Sequence, residues 1–188
     1  AEVNVKRATK DELRQISEAK GKEVDEFLKE RVVRAATEGE IKDMKPEDVM
    51  KMRFVLTWKV DPTTGGKRAK ARLVILGFQD PFLGKEKTLA PTMNKRTRTL
   101  QLQLAVQNRW KVRKADVKAA FLQGREFEEG ETRYGLPPAE LAAALGMDPR
   151  DPRPVKLLKA VYGLARAPLD WYLRVADLLD VLGGEVLK

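Results

Sequence analysis

Apolar residues return along the chain in two rhythms, one near every third or fourth position and one at every second, and these rhythms set out the expected elements. Thr9 followed by Glu12 makes a capping box ahead of Leu13, Ile16, Val24, Phe27 and Leu28. That spacing predicts an amphipathic helix, weakened at Gly21, with one packing face and one charged face. Phe54, Leu56, Trp58 and Val60 alternate with Val55, Thr57 and Lys59, a strand pattern, and Asp61-Pro-Thr-Thr-Gly-Gly66 supplies turn residues. A second strand is read from Lys67 to Leu76, so the two make a hairpin. Arg68, Lys70 and Arg72 then share one face of the second strand, about 7 Å from one to the next. A solvated strand edge kept soluble by its cations is the equally weighted alternative to a phosphate-binding role.

Further on, a helix is predicted from Asn94 or Thr97 to Trp110, with Leu100 over Leu104 and Leu102 over Val106 as stacked pairs. Lys111 to Val117 reads as a short strand that delivers Asp116 at its end. Pro137 and Pro138 open a small alanine-rich helix closed by Gly146, following the preference for proline at the start and glycine past the end. Prolines 149, 152 and 154 force extended backbone before a short strand from Val155 to Leu158. Pro168 begins a final helix with Trp171, Val175, Leu178, Leu179 and Leu182 on one face, stopped at Gly183-Gly184. The order of helices and strands is that of a mixed α+β chain without internal repeats.

Composition narrows the chemistry. With 188 residues, 43% of them hydrophobic, the chain can bury one sizeable core. The absence of cysteine and histidine excludes disulfides, thiolate zinc sites and imidazole catalysis, leaving carboxylates, lysines and hydroxyls. The net charge of +9 is concentrated between Lys51 and Leu100, where 12 basic residues face 3 acidic ones. The other 25 cations and 25 anions balance, so the basic stretch is where a polyanionic partner is expected. No apolar run approaches the roughly 18 residues of a membrane span, and the N-terminus lacks the apolar stretch of a signal peptide. The expectation is a soluble, intracellular protein without a membrane partner, and the abrupt ends at Ala1 and Lys188 read as those of a fragment.

Three ordered blocks resemble the reverse transcriptase of copia-type long-terminal-repeat retrotransposons. Trp58-Lys-Val60 with Lys70-Ala-Arg-Leu-Val74 and Gly77-Phe78 is similar to that family's fingers hairpin. Ala115-Asp-Val-Lys118 with Ala120-Phe-Leu122 and Gly124 resembles its first catalytic motif. Leu157-Leu-Lys159, Val161-Tyr-Gly-Leu164, Ala167-Pro168 and Trp171-Tyr172 resemble the motif that follows. Leu89-Ala-Pro91 and the acidic run from Glu126 to Glu131 add weaker support.

The resemblance implies a partial right-hand polymerase fold, with a fingers β-hairpin and part of the palm over 51–188 behind an N-terminal helical lead-in over 1–50. It implies RNA-directed DNA polymerisation, in which two Mg²⁺ ions about 3.5–4 Å apart stabilise the attacking and leaving oxygens. Asp116 would bridge those ions with the Val117 carbonyl as a secondary ligand, a hard-oxygen set suited to Mg²⁺. Phe121 would lie under the sugar of the incoming nucleotide and exclude a 2′-hydroxyl. Lys70 and Arg72 would grip the triphosphate, Tyr162 and Gly163 would lie near nucleotide and template, and Lys67 and Arg68 extend the basic hairpin. Lys67 and Arg68, with Lys85, Lys87, Lys95, Arg96 and Arg98, are the nucleic-acid-binding candidates, through generic phosphate contacts. The implied partners are an RNA template, a DNA primer, deoxynucleoside triphosphates, and the remainder of a polyprotein with integrase and RNase H.

Two departures qualify the activity. Where the family has Lys-Gln-Ala-Pro-Arg-Ala, this chain has Ala165-Arg166-Ala167-Pro168-Leu169-Asp170, which replaces an expected lysine and weakens template or nucleotide contacts. The family's Tyr/Phe-x-Asp-Asp turn is absent, and no Asp-Asp pair occurs in the chain. These 188 residues alone are therefore expected to be inactive. From the residues alone, Asp116 is also readable as a strand-end cap and Phe121 as core packing. A non-catalytic nucleic-acid-binding module from a decayed or domesticated element is the second functional reading, and a purely structural or interaction protein the third.

Overall fold

A computed structural model describes residues 2–61, 63 and 65–181. Helix α1 (Lys10–Lys29) begins as its sequence dictates. The Glu12 amide donates to Thr9 Oγ1 at 3.3 Å, and the Thr9 amide donates to Glu12 Oε2 at 2.9 Å. Ile16, Val24 and Phe27 of this helix are buried, and it runs on unbroken through Gly21.

After α1 come strand β1 (Val33–Ala35), helix α2 (Glu38–Asp43) and the long strand β2 (Val49–Val60), which turns into β3 (Lys67–Ile75). Helix α3 (Lys95–Gln107), strand β4 (Arg133–Leu136), helix α4 (Ala139–Ala144), strand β5 (Val155–Leu157) and helix α5 (Ala167–Val181) complete a mixed α+β fold. The five strands form one sheet in the order β1-β5-β4-β2-β3. β2 pairs in parallel with β4 through Val49–Lys51, and the other neighbours are antiparallel. Because β2 belongs to both the sheet centre and the hairpin, its length ties the basic hairpin rigidly to the core.

That core lies where α1 crosses the sheet, with Phe27, Val32, Met50, Leu73, Leu141, Val155 and Val161 among its buried members. A second, smaller cluster of Ile16, Leu56, Ala69 and Ala71 extends it under the hairpin. A buried ionic group sits at one side. The Arg133 guanidinium lies between the rings of Phe82 and Phe127, at 4.3 and 4.5 Å, and reaches Asp80 at 3.2 Å and Glu86 at 2.7 Å. Among the described residues no helix is long and apolar enough to cross a membrane.

Several expectations are corrected. Lys111 to Val117 is not a strand: it is exposed and has no partner strand among the described residues, and an alternating segment becomes a strand only by pairing. α3 starts at its Asn94 cap, as one of the two predicted starts had it, but Leu100, Leu102, Leu104 and Val106 are all exposed and only Ala105 is buried. Alternation by two around a helix spreads side chains over several faces, so they cannot form one packing stripe. On α5 the buried residues are Ala167 and Asp170, and Leu178 and Leu179 are exposed; Leu182, Gly183 and Gly184 lie outside the described residues. Strands β1 and β4 and helix α2 had no periodicity long enough to announce them.

Candidate active site

The hairpin presents its two faces as the alternation requires. Ala69, Ala71, Leu73 and Ile75 are buried, and Arg68, Lys70 and Arg72 between them are exposed. Lys70 lies opposite Thr57 and Arg72 opposite Val55 on β2. β3 is an edge strand, and the end of its free edge is closed by the loop before α5. There the Ile75 amide donates to the Tyr162 carbonyl at 2.9 Å.

Glycine makes that approach possible. Gly163 has φ +105°, and a Cβ there would lie 2.1 Å from the Ile75 carbonyl oxygen. A Cβ on Gly77 would in turn lie 2.0 Å from the Gly163 carbonyl oxygen. The Gly77-Phe78 and Val161-Tyr-Gly-Leu164 segments are therefore docked backbone to backbone, and Tyr162 is delivered beside Arg72.

Asp116 and Phe121 arrive from a third segment. Ala119 takes a left-handed conformation (φ 49°, ψ 35°) that turns the chain into a short 3-10 helix, Ala120–Gln123. The Leu122 amide donates back to the Ala119 carbonyl at 2.9 Å, and Gln123 Nε2 donates to the Lys118 carbonyl at 2.8 Å. Leu122 is fully buried and anchors the turn, which leaves Phe121 half-buried with its ring centroid 5.6 Å from that of Tyr162.

These segments enclose one open cleft of about 440 Å³, lined by Lys70, Arg72, Asp116, Val117, Phe121 and Tyr162 together with Glu23, Glu26, Lys118, Ala119 and Ala120. Six residues singled out from the sequence thus meet in one place. Gly163 does not line it; its small size serves the packing on Ile75. Lys67, Arg68, Lys85, Lys87, Lys95, Arg96 and Arg98 are exposed and lie outside the lining, with Arg68 3.9 Å from Asp61.

Glu23 and Glu26 were not foreseen. They occupy polar positions of an amphipathic helix, and only the packing of α1 on β3 carries them to the cleft. Glu23 accepts a hydrogen bond from the Leu73 amide at 3.2 Å. Burial pushes its carboxyl above the usual range, opposed by that bond and by Lys70 and Arg72. Burial and the Glu23 carboxylate likewise raise the Tyr162 phenol, with Arg72 pulling the other way.

The donors Asp116 and the Val117 carbonyl are hard oxygens that suit Mg²⁺ in kind. In number they do not make a two-ion site, and no group of three or more acidic side chains that could hold a metal occurs among the described residues.

The hexapeptide that departs from the family in the third block also finds its place. Arg166 Nε donates to Asp170 at 2.9 Å, and Arg166 Nη1 donates to Glu131 at 2.6 Å and to Glu86 at 3.1 Å. Burial works against the Arg166 charge, but Asp170, Glu131 and Glu86 outweigh it and hold the guanidinium above its ordinary pKa. Arg166 and Asp170 of that hexapeptide are thus ionic partners of each other.

Residues 40–186 match the family described as reverse transcriptase (RNA-dependent DNA polymerase). The chain belongs to that family. Two retrovirus-related Pol polyproteins of Arabidopsis thaliana, from transposons RE1 and RE2, are each 34% identical to this reverse transcriptase chain, over 133 and 135 residues and 70% of its length. A third, from transposon TNT 1-94 of Nicotiana tabacum, is 33% identical over 128 residues, 66% of the chain. The resemblance to copia-type elements is thereby confirmed. The reverse transcriptase chain spans only 8%, 9% and 9% of these three relatives. No solved structure matches it.

Proposed function

We propose that this chain is the fingers and partial palm of an RNA-directed DNA polymerase, and that its cleft receives the incoming deoxynucleoside triphosphate. One observation carries the reading. Lys70 and Arg72 from the hairpin, Asp116 and Phe121 from the first motif and Tyr162 from the next are far apart in sequence, yet they line a single cleft.

In this reading Lys70 and Arg72 neutralise the triphosphate, the lysine as a point charge and the arginine as a planar fork. Phe121, braced against Tyr162, forms the floor under the sugar and leaves no room for a 2′-hydroxyl. The Asp116 carboxylate and Val117 carbonyl supply two of the oxygen ligands through which Mg²⁺ would hold the reacting phosphate, and the remaining carboxylates come from elsewhere in the polyprotein. Exposed Lys85, Lys87, Lys95, Arg96 and Arg98 contact the phosphates of an RNA template and DNA primer. The 1–50 segment acts as a lead-in that braces the hairpin. The enzyme works in the cytoplasm or nucleus, where template and nucleotides are found.

Primer extension with Mg²⁺ and deoxynucleotides tests the reading. These 188 residues alone should give no product, and a longer protein that includes an Asp-Asp turn should extend the primer. Asp116→Asn in the longer protein should abolish extension, and unchanged activity would overturn the assignment.

A second reading, a nucleic-acid-binding module without catalysis, is favoured by the basic stretch between Lys51 and Leu100. It predicts binding to RNA or DNA that falls steeply with salt and is indifferent to Mg²⁺ and to Asp116.

A further inference from the structure

Helix α1 forms the wall of the cleft that faces the hairpin cations. Glu23 and Glu26 are three positions apart and both line it, so the cations Lys70, Arg72 and Lys118 are matched by the carboxylates Glu23, Glu26 and Asp116. Without the two α1 glutamates, three cations would face one carboxylate, and the cleft would attract any polyanion. Glu23 is half-buried and accepts from the Leu73 amide at 3.2 Å, so its carboxyl is held in place in the wall. Among the described residues Glu26 accepts from no backbone amide in the cleft, and Lys29 of its own helix lies 3.9 Å from it.

We propose that Glu23 and Glu26 are specificity-determining residues that make the cleft reject bare polyphosphate and accept a triphosphate already carrying a divalent cation. The inference rests on the nucleotide reading above. A bare triphosphate carries roughly twice the negative charge of its magnesium complex, so two carboxylates in the wall disfavour it more. The field of α1 thereby ties nucleotide entry to the metal, and it does so from a segment that does not carry the motifs.

The test compares the chain with its Glu23→Gln/Glu26→Gln form by calorimetric titration, once with tripolyphosphate in the absence of metal and once with dATP and Mg²⁺. Glutamine keeps an acceptor oxygen for the Leu73 amide, so the change removes charge and leaves the anchor. Affinity for bare tripolyphosphate should rise about tenfold, and affinity for magnesium dATP by clearly less. An equal rise for both ligands, or none for either, would overturn the inference. If wild type binds magnesium dATP and Lys70→Ala/Arg72→Ala abolishes that binding while the glutamine variants change nothing, this inference fails and the nucleotide reading stands. No binding of magnesium dATP by wild type beyond the level of Lys70→Ala/Arg72→Ala would remove both. Should the double variant melt early, Glu26→Gln alone must shift the ratio in the same direction.

Discussion

Gly77 and Gly163 face each other across a gap with no room for a single carbon: a Cβ on Gly77 would lie 2.0 Å from the Gly163 carbonyl oxygen. Gly163 is doubly constrained, since its φ of +105° is also a conformation that side chains disfavour. Gly163→Ala is expected to destabilise the fold by about 3 kcal/mol, and Gly77→Ala by a similar amount. Urea denaturation of each variant checks this. A loss below about 0.5 kcal/mol for both would mean that the two segments are not docked as described.

Arg133 is a fully buried cation. Its side chain is fully buried between two rings and lies 3.2 Å from Asp80 and 2.7 Å from Glu86, so Arg133→Ala takes the cation from the buried Asp80 carboxylate, while Glu86 keeps Arg166 at 3.1 Å. The expected penalty is about 3–5 kcal/mol. Arg133→Lys should recover only part of it, because an ammonium has neither the fork nor the flat face that stacks between Phe82 and Phe127. Thermal melts of the two variants rank these outcomes.

Stability should fall in mild acid through Glu40. Its carboxylate accepts from Arg34 at 2.6 and 2.7 Å, from the Thr37 amide at 2.9 Å, and lies 3.2 Å from Lys156. The Arg34 hydrogen bond, then the Thr37 amide, holds its pKa well below the usual carboxylate range. A folded-state pKa below the unfolded value stabilises above the unfolded value, 4.5, and that contribution drains away as pH falls toward the depressed one. Glu23, shifted upward, acts in the opposite sense above 4.5. The pH dependence of unfolding free energy should therefore lose slope below pH 4.5 in Glu40→Gln.

Phe121→Ala should open space beneath the sugar without uprooting the turn, since Leu122 next to it carries the burial. In a polymerase containing this chain, incorporation of ribonucleotides relative to deoxynucleotides should rise at least about tenfold, a change of about 1.4 kcal/mol in discrimination. Single-turnover incorporation of ATP against dATP measures it, and an unchanged ratio would place Phe121 in the core alone.

The elements legible beforehand were those that carry their own signals. The Thr9 box fixed the start of α1, and the alternation of β2 and β3 fixed which hairpin residues face solvent. The cleft residues were legible from the motif blocks, although nothing in a one-dimensional pattern says that three blocks converge. The strand expected at Lys111 to Val117 shows the limit, because pairing is a property of the partner as much as of the segment. Glu23 and Glu26 show another: a charged residue on the polar side of a helix looks solvated until a second element is packed beside it. Nothing in the hexapeptide announced that Arg166 and Asp170 pair, and only the geometry shows it.

The free edge of β3 has one further consequence. Leu73 and Ile75 spend their outward amides on Glu23 and on the Tyr162 carbonyl, and Arg68, Lys70 and Arg72 bristle along the rest of the strand. An open strand edge is a template on which another molecule can add a strand, and cations along it discourage that. The residues proposed to receive triphosphate therefore also act as gatekeepers against self-association. A variant stripped of them for biochemical reasons should be watched for fibre growth before its loss of binding is interpreted.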